Sequence, residues 1–199
     1  MENAIRTAEH NLRIQHRQSD LTAQIGEILN QDRPSAVVWE VGCGHGHFLT
    51  AYAAAHPSKR CIGVDITKDR IDRGIRKRDR TKAKNLSFVH ADARDFLESL
   101  PEHARFSEIF ILFPDPWPKR RHHKNRIMQP DFLHAVAKRA GQGTPLCFRT
   151  DHEEYFRAAE ATLLYHEDWE IVDEPWPFEH ATVFQSRAVS HRSLIARRR

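Results

Sequence analysis

Along the chain, short apolar runs alternate with stretches in which apolar residues recur at helical spacing. Over Asn3–Arg17 the apolar positions are sparse (Ile5, Leu12, Ile14), which predicts an arm or loosely attached helix over residues 1–18. Ser19 is suited to cap a helix whose Leu21, Ile25, Ile28 and Leu29 share one face and which ends before Pro34. The compact domain is therefore expected over residues 19–199. Strands are expected at Ala36–Val41, Arg60–Val64, Leu86–His90, Ile109–Phe113 and Leu146–Arg149, and helices at Phe48–Ala55, Asp69–Lys82, Asp92–Leu100, Asp131–Ala140 and Glu153–Leu164. Strands separated by helices of this length imply an α/β domain with a mainly parallel sheet and helices on both faces. The last third differs. Trp169–Val172 and Thr182–Val189 are strand-like and separated only by the turn-rich E-P-W-P-F-E, so the sheet is expected to finish antiparallel.

Composition narrows the class. A chain of 199 residues fits one ordinary domain. The net charge of +4 is modest, but basic residues cluster in Lys68–Lys84, Lys119–Arg126 and Arg192–Arg199, which suggests an anionic partner, although the first and last clusters read equally well as a solvated helix face and a ragged end. No run approaches the roughly 20 apolar residues of a membrane helix, and Glu2 and Glu9 replace a signal core, so a cytoplasmic protein is expected. Cys43, Cys61 and Cys147 are far apart in apolar stretches and read as reduced core thiols. The pairs His45/His47 and His122/His123 lack metal-ligand spacing, and no metal is expected.

In an open parallel sheet, ligands bind beyond the carboxyl ends of the strands. Here the turn after the first strand is E-V-G-C-G-H-G, and Gly42, Gly44 and Gly46 let the backbone turn tightly and approach a ligand. A dinucleotide fingerprint would need glycine at position 47, where His47 stands, and no G-K-[ST] follows to make a phosphate loop. Glu40 would repel a pyrophosphate but suits the cationic amino-acid end of S-adenosylmethionine, which favours that cofactor over a nicotinamide dinucleotide. Asp65, ending the second strand in G-V-D-I, is placed to accept ribose hydroxyls, and Asp92, followed by Ala93, to receive an adenine amino group. Each acid taken alone reads as readily as a helix cap.

After the fourth strand the chain runs F-P-D-P-W-P-K-R-R-H-H-K. Three prolines in five residues make a stiff loop that cannot join the sheet, and they hold Asp115 and Trp117 in place. With E-V-G-C-G-H-G, G-V-D-I, Asp92-Ala93, Thr150-Asp151 and T-V-F-Q, this segment resembles the bacterial tRNA (guanine-N7)-methyltransferase family over Val38 to about Arg187. The resemblance implies a Rossmann-like class I methyltransferase sheet of seven strands with a reversed last strand. It implies S-adenosylmethionine as cofactor, held by Glu40, Gly42, Gly44, Gly46, Asp65, Asp92, Ala93 and Asp115, and guanine N7 in tRNA, in the variable loop, as target. Asp115 would be catalytic, while Lys119, Asp151, Thr182, Phe184, Gln185 and Arg187 would contact the substrate. The family's motif usually reads T-x-F-E, whereas Gln185 here keeps an acceptor without the charge. Another RNA or a small molecule is therefore the alternative substrate. Monomer and homodimer remain equally open.

Overall fold

A computed structural model describes residues 2–29, 35–180 and 190–199. Seven strands form one sheet: β1 (Ser35–Val41), β2 (Arg60–Asp65), β3 (Leu86–His90), β4 (Ala104–Leu112), β5 (Pro145–Thr150), β6 (Trp169–Val172) and β7 (Arg192–Arg198). Their spatial order is β3-β2-β1-β4-β5-β7-β6. β1 lies parallel between β2 and β4, and its Val37, Val38 and Trp39 are wholly buried, as expected of a central strand covered on both faces. Side chains alternate across the sheet into two cores. Residues of α1 (Glu2–Leu29), α4 (Ala93–Ser99), α5 (Pro130–Ala137) and α6 (Glu153–Leu164) cover one face, and α2 (His47–Ala55) and α3 (Lys68–Thr81) cover the other. Trp39 anchors the first core, stacked on Phe106 at 4.8 Å and tilted against Phe96 at 5.2 Å.

The helix start at Ser19 and the ragged-end reading of the C-terminal arginines need correction. Ser19 does not start a helix: α1 runs continuously from Glu2, and Ser19 lies inside it. Its attachment to the domain is nevertheless graded. Leu12 is 55% exposed, Gln18 donates to Ser99 Oγ at 3.1 Å, and Leu21, Ile25 and Leu29 are buried.

The expected strand Thr182–Val189 lies outside the described residues, and the seventh strand of the sheet is Arg192–Arg198, a run read from sequence as a ragged end. This basic run threads antiparallel between β5 and β6. Leu194, Ile195 and Ala196 are buried, while the flanking cations find acids: Arg192 with Glu153 at 3.0 Å, Arg197 with Glu174 at 2.5 Å and Arg198 with Asp168 at 2.9 Å. The charge that looked like a ragged anionic-partner patch is thus neutralised within the fold. The cysteines are free and buried as expected, and burial pushes the Cys61 and Cys147 thiols up to about 12.

Candidate active site

The carboxyl ends of β1 to β4 open on a cleft. The turn after β1 contributes Gly42 to its first wall, and Gly42, Gly44 and Gly46 are all at positive φ (68°, 53° and 66°), a conformation that costs an L side chain about 1–2 kcal/mol. Their surroundings differ. A Cβ on Gly42 or Gly44 would meet nothing within 4 Å, whereas one on Gly46 would lie 2.3 Å from Phe88 Cζ. Gly42 and Gly44 therefore leave free space beside the backbone, and Gly46 makes room for the core.

Asp65 is 4% exposed and organises the turn from β2. Its Oδ2 accepts from the Gly44 N–H at 2.9 Å and its Oδ1 from the Thr67 N–H at 2.8 Å, while Arg70 stands 3.7 Å away. Asp92 caps α4 by accepting from the Arg94 N–H at 2.8 Å, and it also lines the cleft beside Ala93. The capping and ligand-facing readings of this acid are compatible, since a carboxylate offers about four lone-pair sites. Glu40 sits deeper. It is 3% exposed, lies behind the glycine turn rather than on the cleft surface, and its Oε2 has no hydrogen-bond partner. Burial pushes its carboxyl up to about 8; the Leu49 N–H and Lys77 oppose this and Asp65 adds to it. A buried carboxyl with a partnerless oxygen is costly on its own. It suits a cationic group such as an α-ammonium, so the donor set of Glu40, the bare glycine backbone, Asp65 and Asp92 fits an adenosine-bearing amino acid.

The opposite wall is the P-D-P-W-P loop. Asp115 is exposed and lines the cleft with Trp117, which is 36% exposed. The residue before the loop's first proline and the one before its last, Phe113 and Trp117, have φ of 51° and 44°. Left-handed backbone at large side chains costs about 1–3 kcal/mol each and persists only where neighbours enforce it. Here the Phe113 N–H donates to the Arg149 carbonyl at 2.7 Å. Arg126 enforces the rest: it is 4% exposed, donates from Nε to the Pro116 carbonyl at 2.8 Å, lies 4.9 Å from the Tyr155 ring centroid and pairs with Glu154 at 3.4 Å. Counting Arg126 with the basic cluster expected to meet an anionic partner is thereby corrected, because its guanidinium is buried among these contacts. Lys119, Arg120, Arg121 and Lys124 are exposed around a 3₁₀ turn, Arg120–Asn125.

Asp151 follows β5 at the same sheet edge and is exposed, but neither it nor Lys119 lines the cleft. Thr182, Phe184, Gln185 and Arg187 lie outside the described residues. The cleft also contains Ile66, Arg70, Asn125 and Ile127, none singled out from sequence. Ile66 carried a signal: a large apolar residue directly after the strand-ending Asp65, left 69% exposed.

A seven-stranded sheet with one reversed strand and a ligand cleft after β1 defines a class I methyltransferase fold. An rRNA methylase from Streptococcus thermophilus superposes with a TM-score of 0.57 at 12% identity, over 93% of this chain and 95% of that one. The chain belongs to the family described as "Putative methyltransferase", matched over residues 34–193. The tRNA (guanine-N(7)-)-methyltransferase of Wolinella succinogenes is 41% identical over 125 residues, 63% of this chain and 31% of that protein. That of Magnetococcus marinus is 34% identical over 161 residues, 80% of this chain and 63% of that protein. The chain spans less than two thirds of the length of either relative. Among the described residues no helix is long and apolar enough to cross a membrane.

Proposed function

We propose that the protein transfers a methyl group from S-adenosylmethionine to N7 of a guanine in tRNA, in the variable loop, and works in the cytoplasm. The observation that carries this reading is the braced loop that holds Asp115 in the same cleft as the glycine turn, Asp65 and Asp92. The names of the relatives support the tRNA substrate.

In this reading Glu40, Gly42, Gly44, Gly46, Asp65, Asp92 and Ala93 hold the cofactor. Once bound, it supplies an electrophilic sulfonium methyl. Guanine N7 carries an in-plane lone pair and no proton, so no general base is needed. What the protein must provide is in-line positioning and negative charge near a ring that becomes cationic. Asp115 does both: its carboxylate accepts from the N1–H and N2–H₂ edge, which adenine does not offer, and faces the developing charge. Trp117 packs against the base. Lys119, Arg120, Arg121 and Lys124 hold the phosphates beside the cleft, and Asp151, Thr182, Phe184, Gln185 and Arg187 contact the target nucleotide. Residues 1–18 form an arm on the domain of residues 19–199.

The test is incubation with labelled S-adenosylmethionine and bulk tRNA, followed by cleavage specific for N7-methylguanosine. One cut in the variable loop is expected. Label in another RNA or a small molecule alone, or no label at all, overturns the reading.

A further inference from the structure

The basic run Lys68–Lys84 separates into two populations. Lys68 pairs with Asp72 at 2.8 Å, Arg73 with Asp69 at 3.0 Å and Arg78 with Asp79 at 2.7 Å, as on an ordinary solvated helix. Arg76, Lys77 and Arg80 form no ion pair among the described residues. Together with Arg73, His45, His47 and Asp79, the acid already paired with Arg78, they line an open groove between α3 and the glycine turn. Gly42 of that turn lines the cleft, and His45 and His47 line the groove. Lys77 ties its walls together by donating to the His45 carbonyl at 3.1 Å.

Arg76 and Arg80 are exposed and one helical turn apart, a like-charge spacing that destabilises a helix by about 0.2–0.5 kcal/mol. The fold gains nothing from this repulsion. The cations also act on their neighbours: burial first, then Arg73, Arg70 and Lys77, hold His45 below the ordinary imidazole value. From Arg70, which lines the cleft, the positions Arg73, Lys77 and Arg80 continue along one helical face for about 15 Å at 1.5 Å per residue. A nucleic-acid strand rising about 3.4 Å per nucleotide passes roughly four phosphates over that length. A cationic track that starts at the cleft, and in which Arg76, Lys77 and Arg80 form no ion pair among the described residues, matches a polyanion long enough to occupy both places.

We propose that this groove is a second phosphate-binding track, which holds the backbone of the RNA substrate along α3 beside the glycine turn. The inference rests on the RNA substrate proposed above. Its test is equilibrium binding of tRNA to the full chain and to an R76Q/R80Q variant across a salt series. Lys77 is left intact because it secures the turn. The log–log salt slope of the variant is expected to be shallower by about 1.4, from two contacts at about 0.7 each for single-stranded RNA. S-adenosylhomocysteine affinity, the readout of an intact fold and cofactor site, stays within about twofold because neither arginine lines the cleft.

An unchanged slope beside a salt-dependent wild type overturns the proposal. Loss of binding to an acidic polypeptide with tRNA binding intact also overturns it and assigns the groove to a protein partner. If the wild type binds tRNA but methylates no guanine N7, the functional reading fails while the slope still decides the groove. If the wild type binds no tRNA, both fail.

Discussion

Two glycines of the same turn should fail in different ways when each gains a single methyl group. Gly42→Ala places a Cβ in open space at the cleft, so its cost to folding is the left-handed backbone alone, about 1–2 kcal/mol. Gly46→Ala carries the same backbone cost and drives a Cβ to 2.3 Å from Phe88 Cζ and 2.6 Å from Cε1. Phe88 cannot swing away. Hypothetical Cβ atoms on Gly63 and Gly74 would lie 2.8 Å and 3.2 Å from the same ring, which is 3% exposed. Overpacking of this kind adds about 1–3 kcal/mol, for a total of about 2–5 kcal/mol. That is a large fraction of the roughly 5–15 kcal/mol by which domains are stable. Urea denaturation measures this side, and calorimetric titration with S-adenosylhomocysteine measures the other. Gly42→Ala should weaken ligand binding at least about tenfold while folding nearly normally, since one buried clash of about 1.4 kcal/mol is tenfold. Gly46→Ala should show the larger stability loss, partly recovered by Phe88→Leu with a coupling of about 1 kcal/mol. Equal destabilisation by the two substitutions, or undiminished ligand affinity in Gly42→Ala, would refute the assigned roles.

Other outcomes follow from the same geometry. Glu40 is raised to about 8 from an ordinary 4.5, so its protonated form stabilises the ligand-free fold below about pH 4.5, and that contribution is lost as pH rises through about 8. Denaturation across this window should show stability falling with pH in the wild type and a flatter profile in Glu40→Gln; parallel profiles exclude Glu40 as the source. Asp115→Ala should lower methyl transfer at least about a hundredfold with an unchanged melting temperature, because the side chain is exposed; near-normal turnover removes Asp115 from the mechanism. Arg126→Lys keeps the charge but loses the planar group that bonds the Pro116 carbonyl and lies over Tyr155. It should cost about 1.5–3 kcal/mol in thermal denaturation and reduce kcat with S-adenosylhomocysteine affinity retained; a fall in that affinity alone would contradict the bracing role.

The parallel half of the sheet was readable because β1 to β5 are buried on both faces and leave near-continuous apolar runs between helical stretches. The acids at the cleft were readable from their places after those runs. What escaped had a local pattern that tertiary context overrode. Arg192–Arg198 contains only three consecutive apolar residues, and the acids that neutralise its arginines, Glu153, Asp168 and Glu174, come from distant segments. Arg126 ends a run of exposed cations and differs from them only because Pro116, Glu154 and Tyr155 surround it. The left-handed backbone at Phe113 and Trp117 was equally hidden, since neither residue type favours it. Ser19 had the chemistry of a helix cap, but the polar stretch before it continues the same helix.

The strand order also sets a schedule for synthesis. Among the described strands β6 pairs only with β7 and is made before it, so as the chain emerges from the ribosome Trp169–Val172 lacks that partner until Arg198 has been added. Until then β5 presents an open hydrogen-bonding edge, the kind of template on which nascent chains associate with one another. Arg192, Arg197 and Arg198 then act a second time, as like charges that discourage two unfinished copies from pairing through their incoming strands.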